Sequence, residues 1–572
     1  MHHVRAISPP RRISEVCERA LPAASVIVGI LLVLAPLLAT MVQSLVSNDG
    51  SAGVTFANFL RVLGSANFLE ATLNTLLCGA CVTVLASILG LLLAWIVSRT
   101  DIPGRRWFEL LNLVPFFLSP YVGALSWIYL AAPHSGLIQN MARNLLGLEI
   151  ELPDIFGRGG VVAILTLFYT PYVYLFVIGP LRQMDGALED AARVHGATFM
   201  QSVRSIVIPL MMPALLSSAL IVFVTSAGLF DVPLALASPS GIRMIPTEIY
   251  GMLQYPSDTG AASAVAMIIL ALTVLLTILQ RRYIGARRFD TVSGKGYRPR
   301  RLVLSRPAKA AALLVECGFI GAAVVLPIVA LALVSFSRIW TGQFRTAAAT
   351  WRNYDYVLFE SELARTAIWN SVVLALCGAS IAVVLSLLQA YALQRGTGSA
   401  RLRVVVDVLL SLSLGIPGII LGLGMLIIAV RTPLYGTLSL ILIAYVVRFF
   451  PYSTRSLTAM LMTINPELEQ SARTSGASWF QATRHILLPL MWPGIVAAWI
   501  MLFVILIREL GATILIYSQG TETISVALVL LGARNTGYVA ALGIIQVLML
   551  LGALMLLRLT KARIVPEDGP AT

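Results

Sequence analysis

Residues 188–215 read LEDAARVHGATFMQSVRSIVIPLMMPAL, and residues 468–495 read LEQSARTSGASWFQATRHILLPLMWPGI. At a constant offset of 280 residues and without a gap, Glu189 aligns with Glu469, Gly196 with Gly476, Pro209 with Pro489 and Pro213 with Pro493. Each copy is a polar segment lodged between apolar runs. A polar repeat this regular in an apolar chain points to two docking surfaces for one kind of partner.

The chain has 572 residues, 58% of them hydrophobic and 12% charged, and a mean hydropathy of +0.86. Soluble domains do not have this composition. Apolar runs close to the roughly 20 residues that cross about 30 Å of hydrocarbon recur along the whole chain. Helices are the expected spanning element, because an open sheet would leave backbone groups unpaired in lipid. About twelve spans are predicted, near 22–46, 70–97, 108–131, 160–184, 206–236 and 260–279, then near 311–336, 367–393, 406–430, 437–460, 489–517 and 538–558. The expected fold is therefore all-α, a polytopic membrane protein of two tandem six-helix units.

The net charge of +14 follows membrane topology. Arg5, Arg11, Arg12 and Arg19 precede the first span, Arg99, Arg105 and Arg106 follow the second, and Arg281, Arg282, Arg287 and Arg288 follow the sixth. By the positive-inside rule these loops and both termini are cytoplasmic, and so are both copies of the repeat. The stretch from Arg281 to Lys309 is rich in Arg, Gly and Pro and carries a single acid, Asp290. It reads as a basic linker beside anionic headgroups, with no need for a nucleic-acid role. The expected divisions are a cytoplasmic N-terminus at 1–21, a first unit at 22–280, the linker at 281–310, a second unit at 311–559 and a tail at 560–572. The first apolar run is too long for a simple cleaved signal and reads as a retained anchor.

Five cysteines form no disulfide framework. Cys78 and Cys81 make a C-x-x-C in an apolar span without further ligands, so the cysteines are expected to be buried structural thiols.

The duplication extends beyond the polar segments. Asn74 and Asn370 open spans that align without a gap through Arg99 and Arg395, and Tyr169-Thr170-Pro171-Tyr172 aligns with Phe449-Phe450-Pro451-Tyr452. The chain reads as a tandem repeat of a five- or six-helix unit. Six spans separate equivalent points, so both units cross the membrane in the same sense, with a pseudo-two-fold axis along the membrane normal and a pathway between them. Within each polar segment, acids near a helix start suit the helix dipole, Ala191 and Ala192 offer a small face, and Gly196 permits a sharp reversal. The expected shape is helix, glycine turn, helix, ending at Pro209 where the next span begins.

An acid, two small residues, Gly, nine residues and Ile-x-Leu-Pro is the loop that this segment resembles, that of ATP-binding-cassette importer permeases. The first copy fits with Asp190-Ala191-Ala192, Gly196 and Ile206-x-Ile208-Pro209, and the second with Gln470-Ser471-Ala472, Gly476 and Ile486-x-Leu488-Pro489. Departures are Asp190 and Gln470 for the usual Glu, Ser471 for Ala and Ile208 for Leu; Glu189 and Glu469 lie one residue earlier. Arg508-Glu509-Leu510-Gly511-Ala512-Thr513 also resembles the Arg-Glu-Leu-Pro-Ala-Thr stretch of fused iron(III)-type permeases. The resemblance implies a type I importer permease fold with cores at about 70–280 and 366–558, in a bacterial inner membrane. It further implies that the loops couple to a homodimeric ATPase, that a periplasmic binding protein delivers the substrate, and that iron(III) leads thiamine, polyamines and phosphonates as that substrate.

The only Gly-Lys, Gly294-Lys295, has Phe289 where a phosphate-binding loop needs its first glycine. No cofactor is therefore expected on this chain; ATP and Mg belong to the partner. Ionisable residues inside spans invite a functional reading, at about 2.5–3.5 kcal/mol each on insertion scales. They are Asp231 in span five, Arg448 in span ten, and Arg508 and Glu509 in span eleven. Two readings stand: Asp231 and Glu509 line a route for a cationic substrate, or an interhelical pair such as Arg448 with Glu509 fixes packing. His134, Glu149, Glu151 and Asp154 sit in a loop expected to be periplasmic and read mainly as solvated charge. A twelve-span ion-coupled carrier is the rival class, and a membrane enzyme is a third, for which no histidine-rich or nucleophile constellation is present.

Overall fold

The computed structural model describes residues 11–46, 53–147, 153–184, 191–192, 194–285, 302–343, 349–395, 406, 408, 410, 413, 415–532 and 534–564. Glu189 and Asp190, Glu149 and Glu151, and most of the basic linker lie outside them.

Among the described residues the chain is helical, with isolated β-bridges and no strand. The first unit contains α1 (Arg11–Ser44) and α2 (Ala66–Arg99), then the bent pair α3 (Arg105–Phe117) and α4 (Pro120–Ala131). It continues with α5 (Arg158–Gln183), α6 (Val203–Gly228), α7 (Asp231–Leu236) and α8 (Thr259–Gly285). The second contains α9 (Arg306–Ser335), α10 (Glu362–Gln394), α11 (Gly418–Ala429) and α12 (Leu438–Met462). It ends with α13 (Glu467–Thr474), α14 (Trp479–Ile507) and α15 (Thr536–Ile564). Nine helices among the described residues are long and apolar enough to cross a membrane, or ten if the bent pair counts as one span. The twelve expected spans are not all of this kind. α11 is a short apolar helix of 12 residues, α12 carries Arg448 and Arg455 and falls outside that set, and α3 and α4 are bent by 99°. Pro120 supplies no N–H to continue the ladder from α3, so the chain turns there.

The two units are built alike. α2 packs chiefly on α5 and α6, and α10 packs likewise on α12 and α14. The first helix of each unit lies on its own unit's last helix and crosses to the third span of the other, α1 on α8 and α11, α9 on α15 and α4. Hydrogen bonds repeat too. Asn58 Nδ2 donates to Ser44 O and Val46 O at 3.1 and 2.8 Å, and Asn353 Nδ2 donates to Ser335 O and Ser337 O at 2.8 and 2.9 Å. Asn74 Nδ2 donates to Arg243 O at 2.9 Å, and Asn370 Nδ2 to Glu522 O at 3.0 Å. Ile245 N donates to Thr75 Oγ1 at 2.9 Å, and Ile524 N to Ser371 Oγ at 2.8 Å. These bonds satisfy backbone carbonyls and amides at helix ends, where water is scarce and lipid offers nothing. They include α1 and α9, so the repeating unit has six spans.

The end of the linker docks on the first unit. Leu302 N donates to Arg99 O at 2.8 Å, Leu304 N to Asp101 Oδ1 at 2.9 Å, and Lys309 pairs with Asp101 at 2.6 Å. The Leu304 amide, then Lys309, hold the Asp101 carboxyl below its ordinary range.

The cysteines depart from expectation. Cys78 is buried, but Cys81, Cys317 and Cys377 are exposed, on outer faces of apolar helices that need no polar partner there.

Replacing Asn353 or Asn58 by Ala should each lower stability by about 1–3 kcal/mol, since each leaves two carbonyls without a donor. Thermal unfolding in detergent checks this; a loss at one position with none at the other would contradict an equivalent anchoring role.

Candidate functional site

Two sites follow from this frame: the repeated polar loops and a cavity between the units. In the second loop, α13 ends ahead of Gly476, whose φ of 95° is left-handed. Gly196 has the same conformation, with φ 83°. A Cβ would meet nothing within 4 Å at Gly196, so there the need for glycine comes from backbone conformation alone. Ala477 N donates to Ala472 O at 3.0 Å and Ala197 N to Ala192 O at 2.9 Å, closing equivalent turns. Reciprocal caps follow. Ser478 N donates to Gln481 Oε1 and Gln481 N to Ser478 Oγ, as Thr198 does with Gln201.

Both loops then make one π-turn, Val203–Val207 and Thr483–Leu487. Ile208 N donates back to Val203 O, and Leu488 N to Thr483 O. Pro209 and Pro489 bring no N–H of their own, so the register changes ahead of each proline.

Each loop is tied to its unit by an arginine at the end of the second span. Arg395 Nη2 donates to Ile464 O at 2.8 Å, and Arg99 Nη1 donates to Met184 O at 3.4 Å. Arg395 also pairs with Glu469 at 3.2 Å. Glu469 is 8% exposed, so its carboxylate holds the loop to the unit instead of facing outward. Gln470, Ser471, Arg473 and Gly476 face out, as do Ala191, Val194 and Gly196 in the first loop, with Ala192 and Ala472 half-buried. A further tie joins the second loop to α1, where Arg473 meets both Glu18 oxygens at 2.5 and 2.9 Å.

The sequence places Asp231, Arg508 and Glu509 within helical spans. The structure corrects this: α6 ends at Gly228 and α14 at Ile507, so all three stand at breaks in the helix, with Asp231 opening α7. Arg448 alone lies inside its helix, α12. All four line one cavity of about 120 Å³ of water-accessible space, to which both units contribute. Arg448 and Glu509 meet across the two helices, as the pairing reading expects. Arg448 Nη1 donates to Glu509 Oε1, and Ala512 N donates to the same oxygen at 2.8 Å. Among the described residues Asp231 makes no ion pair and is 5% exposed, so its carboxylate is the one left to the cavity. Tyr169, Tyr172 and Tyr452 add phenolic groups to the wall.

Sequence reasoning missed several members. Gly418 lies against the Arg448 guanidinium, where a Cβ would collide. Glu316, fully buried in α9, accepts from Asn112 Nδ2 at 2.9 Å; a lone acid in an apolar run was the available signal. Arg99 and Arg395 were visible as the last residues of a gapless repeat, and Arg99 also as a topology marker, but not as anchors of the loops.

Residues 86–288 and 396–565 match the family of binding-protein-dependent transport system inner membrane components. The chain belongs to this family. It is a multi-pass permease component of ATP-binding-cassette import, with the family's domain present twice, and the ion-coupled carrier is set aside. The ferric transport system permease protein FbpB of Actinobacillus pleuropneumoniae is 25% identical over 82% of this chain and 68% of its own. The Fe(3+)-transport system permease protein FbpB 2 of Haemophilus influenzae is 24% identical over 80% of this chain and 83% of its own. The sulfate transport system permease protein CysT of Salmonella typhimurium is 27% identical over 39% of this chain and 79% of its own. A chain of the solved bacterial alginate ABC transporter with its pentasaccharide-bound periplasmic protein is 19% identical, with a TM-score of 0.37 over 42% of this chain and 85% of its own.

Arg448→Ala should destabilise the chain by about 3–5 kcal/mol, because Glu509 would stay buried without its cation. Adding Glu509→Ala should recover part of that loss. Equal and additive losses in a thermal double-mutant cycle would show that the two do not act as a pair.

Proposed function

We propose that this permease carries iron(III), delivered by a periplasmic binding protein, and that a separate homodimeric ATPase drives it through the two polar loops. Both loops and both termini then face the cytoplasm. ATP and Mg bind the ATPase, since Gly294-Lys295 lacks the first glycine of a phosphate-binding loop. The substrate passes between the units through the cavity that Asp231, Arg448, Arg508 and Glu509 line.

The observation that carries this reading is the repeated loop itself. Glycine turn, reciprocal cap, π-turn and proline recur at one offset, and each loop joins the fourth span of its unit to the fifth. A push on either loop is therefore delivered to the helix whose far end opens on the cavity, α6 at Gly228 and α14 at Ile507. Support for iron(III) comes from the two ferric relatives, matched over 82% and 80% of this chain. Asp231 and the three tyrosines supply hard oxygen donors, which suit a hard cation in transit.

Gly196→Val and Gly476→Val should each cut substrate-stimulated ATP hydrolysis by the assembled transporter, because a β-branched residue resists positive φ at a cost of about 1–3 kcal/mol. The two losses should differ, since the loops carry different residues at their outward faces. Undiminished stimulation in both variants would end the coupling reading. For the substrate, ferric ion should protect the cognate binding protein against thermal unfolding. Protection by an organic amine, with no effect of ferric ion, would overturn iron(III).

A further inference from the structure

Where the two units face each other, Arg508 crosses from one to the other. Its Nη1 donates to Phe116 O at 2.6 Å and to Leu118 O at 2.7 Å, and its guanidinium lies 5.7 Å from the centre of the Phe116 ring. Those carbonyls belong to the break between α3 and α4. Phe116 O is among the last carbonyls of α3, which have no intrahelical donor, and Pro120 offers no N–H to fill the gap. A cation suits the carboxyl end of α3 by the helix dipole as well.

The pseudo-symmetric position shows what this arginine adds. At the offset of 280 Arg508 corresponds to Gly228, which abuts the equivalent break of the second unit: a Cβ on Gly228 would fall 2.6 Å from Pro417 Cγ. Each fifth span thus ends against the broken third span of the opposite unit. One contact is a close glycine–proline approach without polar bonds, and the other is an arginine holding two carbonyls.

We infer that Arg508 is a cross-unit bolt: by bonding to the α3–α4 break it holds the two units together at the wall of the cavity, and parting them there requires its release. In a low-dielectric interior these two charge-assisted bonds favour the joined arrangement strongly, and a withdrawn guanidinium needs solvent or cargo to replace the carbonyls. The bolt is asymmetric, so the first unit's α3–α4 break moves against α14 while the second unit's break merely slides over Gly228. This inference rests on the transport reading for its purpose, but its test needs neither ATPase nor substrate.

The test uses the full chain in proteoliposomes, with the native cysteines replaced by alanine and Thr225→Cys placed in the cavity wall. The readout is the rate of labelling by a water-soluble maleimide. Arg508→Gln should speed labelling at least about tenfold, the least expected from losing even one charge-assisted hydrogen bond. Arg508→Lys, which keeps a cationic donor, should restore slow labelling. Pro120→Ala tests the other end of the contact, since the new N–H can compete for Phe116 O; it should also speed labelling, and it carries the test if Arg508→Gln fails to fold. Unchanged rates in Arg508→Gln and Pro120→Ala, at unfolding temperatures equal to that of the parent, would overturn the bolt.

Discussion

Hydrocarbon offers no hydrogen bonds, so each break in a helix and each charge in this chain must find its partner inside the protein. The centre of the molecule follows from that constraint. The breaks after Phe117, Gly228 and Ile507 expose carbonyls and amides, and the charges Arg448, Arg508 and Glu509 are the groups that satisfy them or one another. Broken helices would be costly in lipid without these charges, and the charges would be costly in intact helices. Asp231 stands at the same place and makes no ion pair among the described residues. That leaves its carboxyl group to the cavity.

Duplication sets the frame on which this centre is built, and the departures from it carry the function. Anchoring asparagines, capping pairs, π-turns and glycine reversals are shared by both units. Chemistry is not. Phe168 stands where Arg448 would be and Gly228 where Arg508 would be. The loops differ too: at the offset of 291 that relates Ser44 to Ser335, Glu18 corresponds to Lys309. Glu18 binds Arg473 of the second loop, whereas Lys309 and Arg193, the aligned pair, are both cationic. Two scaffolds of one design thus give the cavity two chemically different walls.

Much of this was legible in the chain. Apolar runs gave the helices, arginines gave the orientation expected of the loops, and the gapless repeat gave the duplication together with the helix–glycine–helix shape. Asn74, Asn370, Arg99 and Arg395 were visible as matched positions, though their bonds to distant backbone were not, because a carbonyl acceptor leaves no mark in a sequence. Hydropathy also could not show that spans three, five and eleven break near their middle. It averages over a window, and the apolar residues beyond Pro120, Gly228 and Ile507 continue the run after the helix has stopped. For that reason Asp231, Arg508 and Glu509 read as charges within spans, when they are charges at breaks. The exposed thiols were misread for a related cause: in lipid an outward face is as apolar as a core, so an apolar span does not imply burial.

We propose that the two loops of this one chain are matched but unequal drive points for a separate ATPase. The most direct measurement is the native mass of the complex purified through this chain after co-expression with its ATPase. One copy of the chain with two of the ATPase is expected, falling to a mixture containing one when either loop's outward face is replaced. Purification of the chain without ATPase, together with uptake driven by an ion gradient alone, would contradict it.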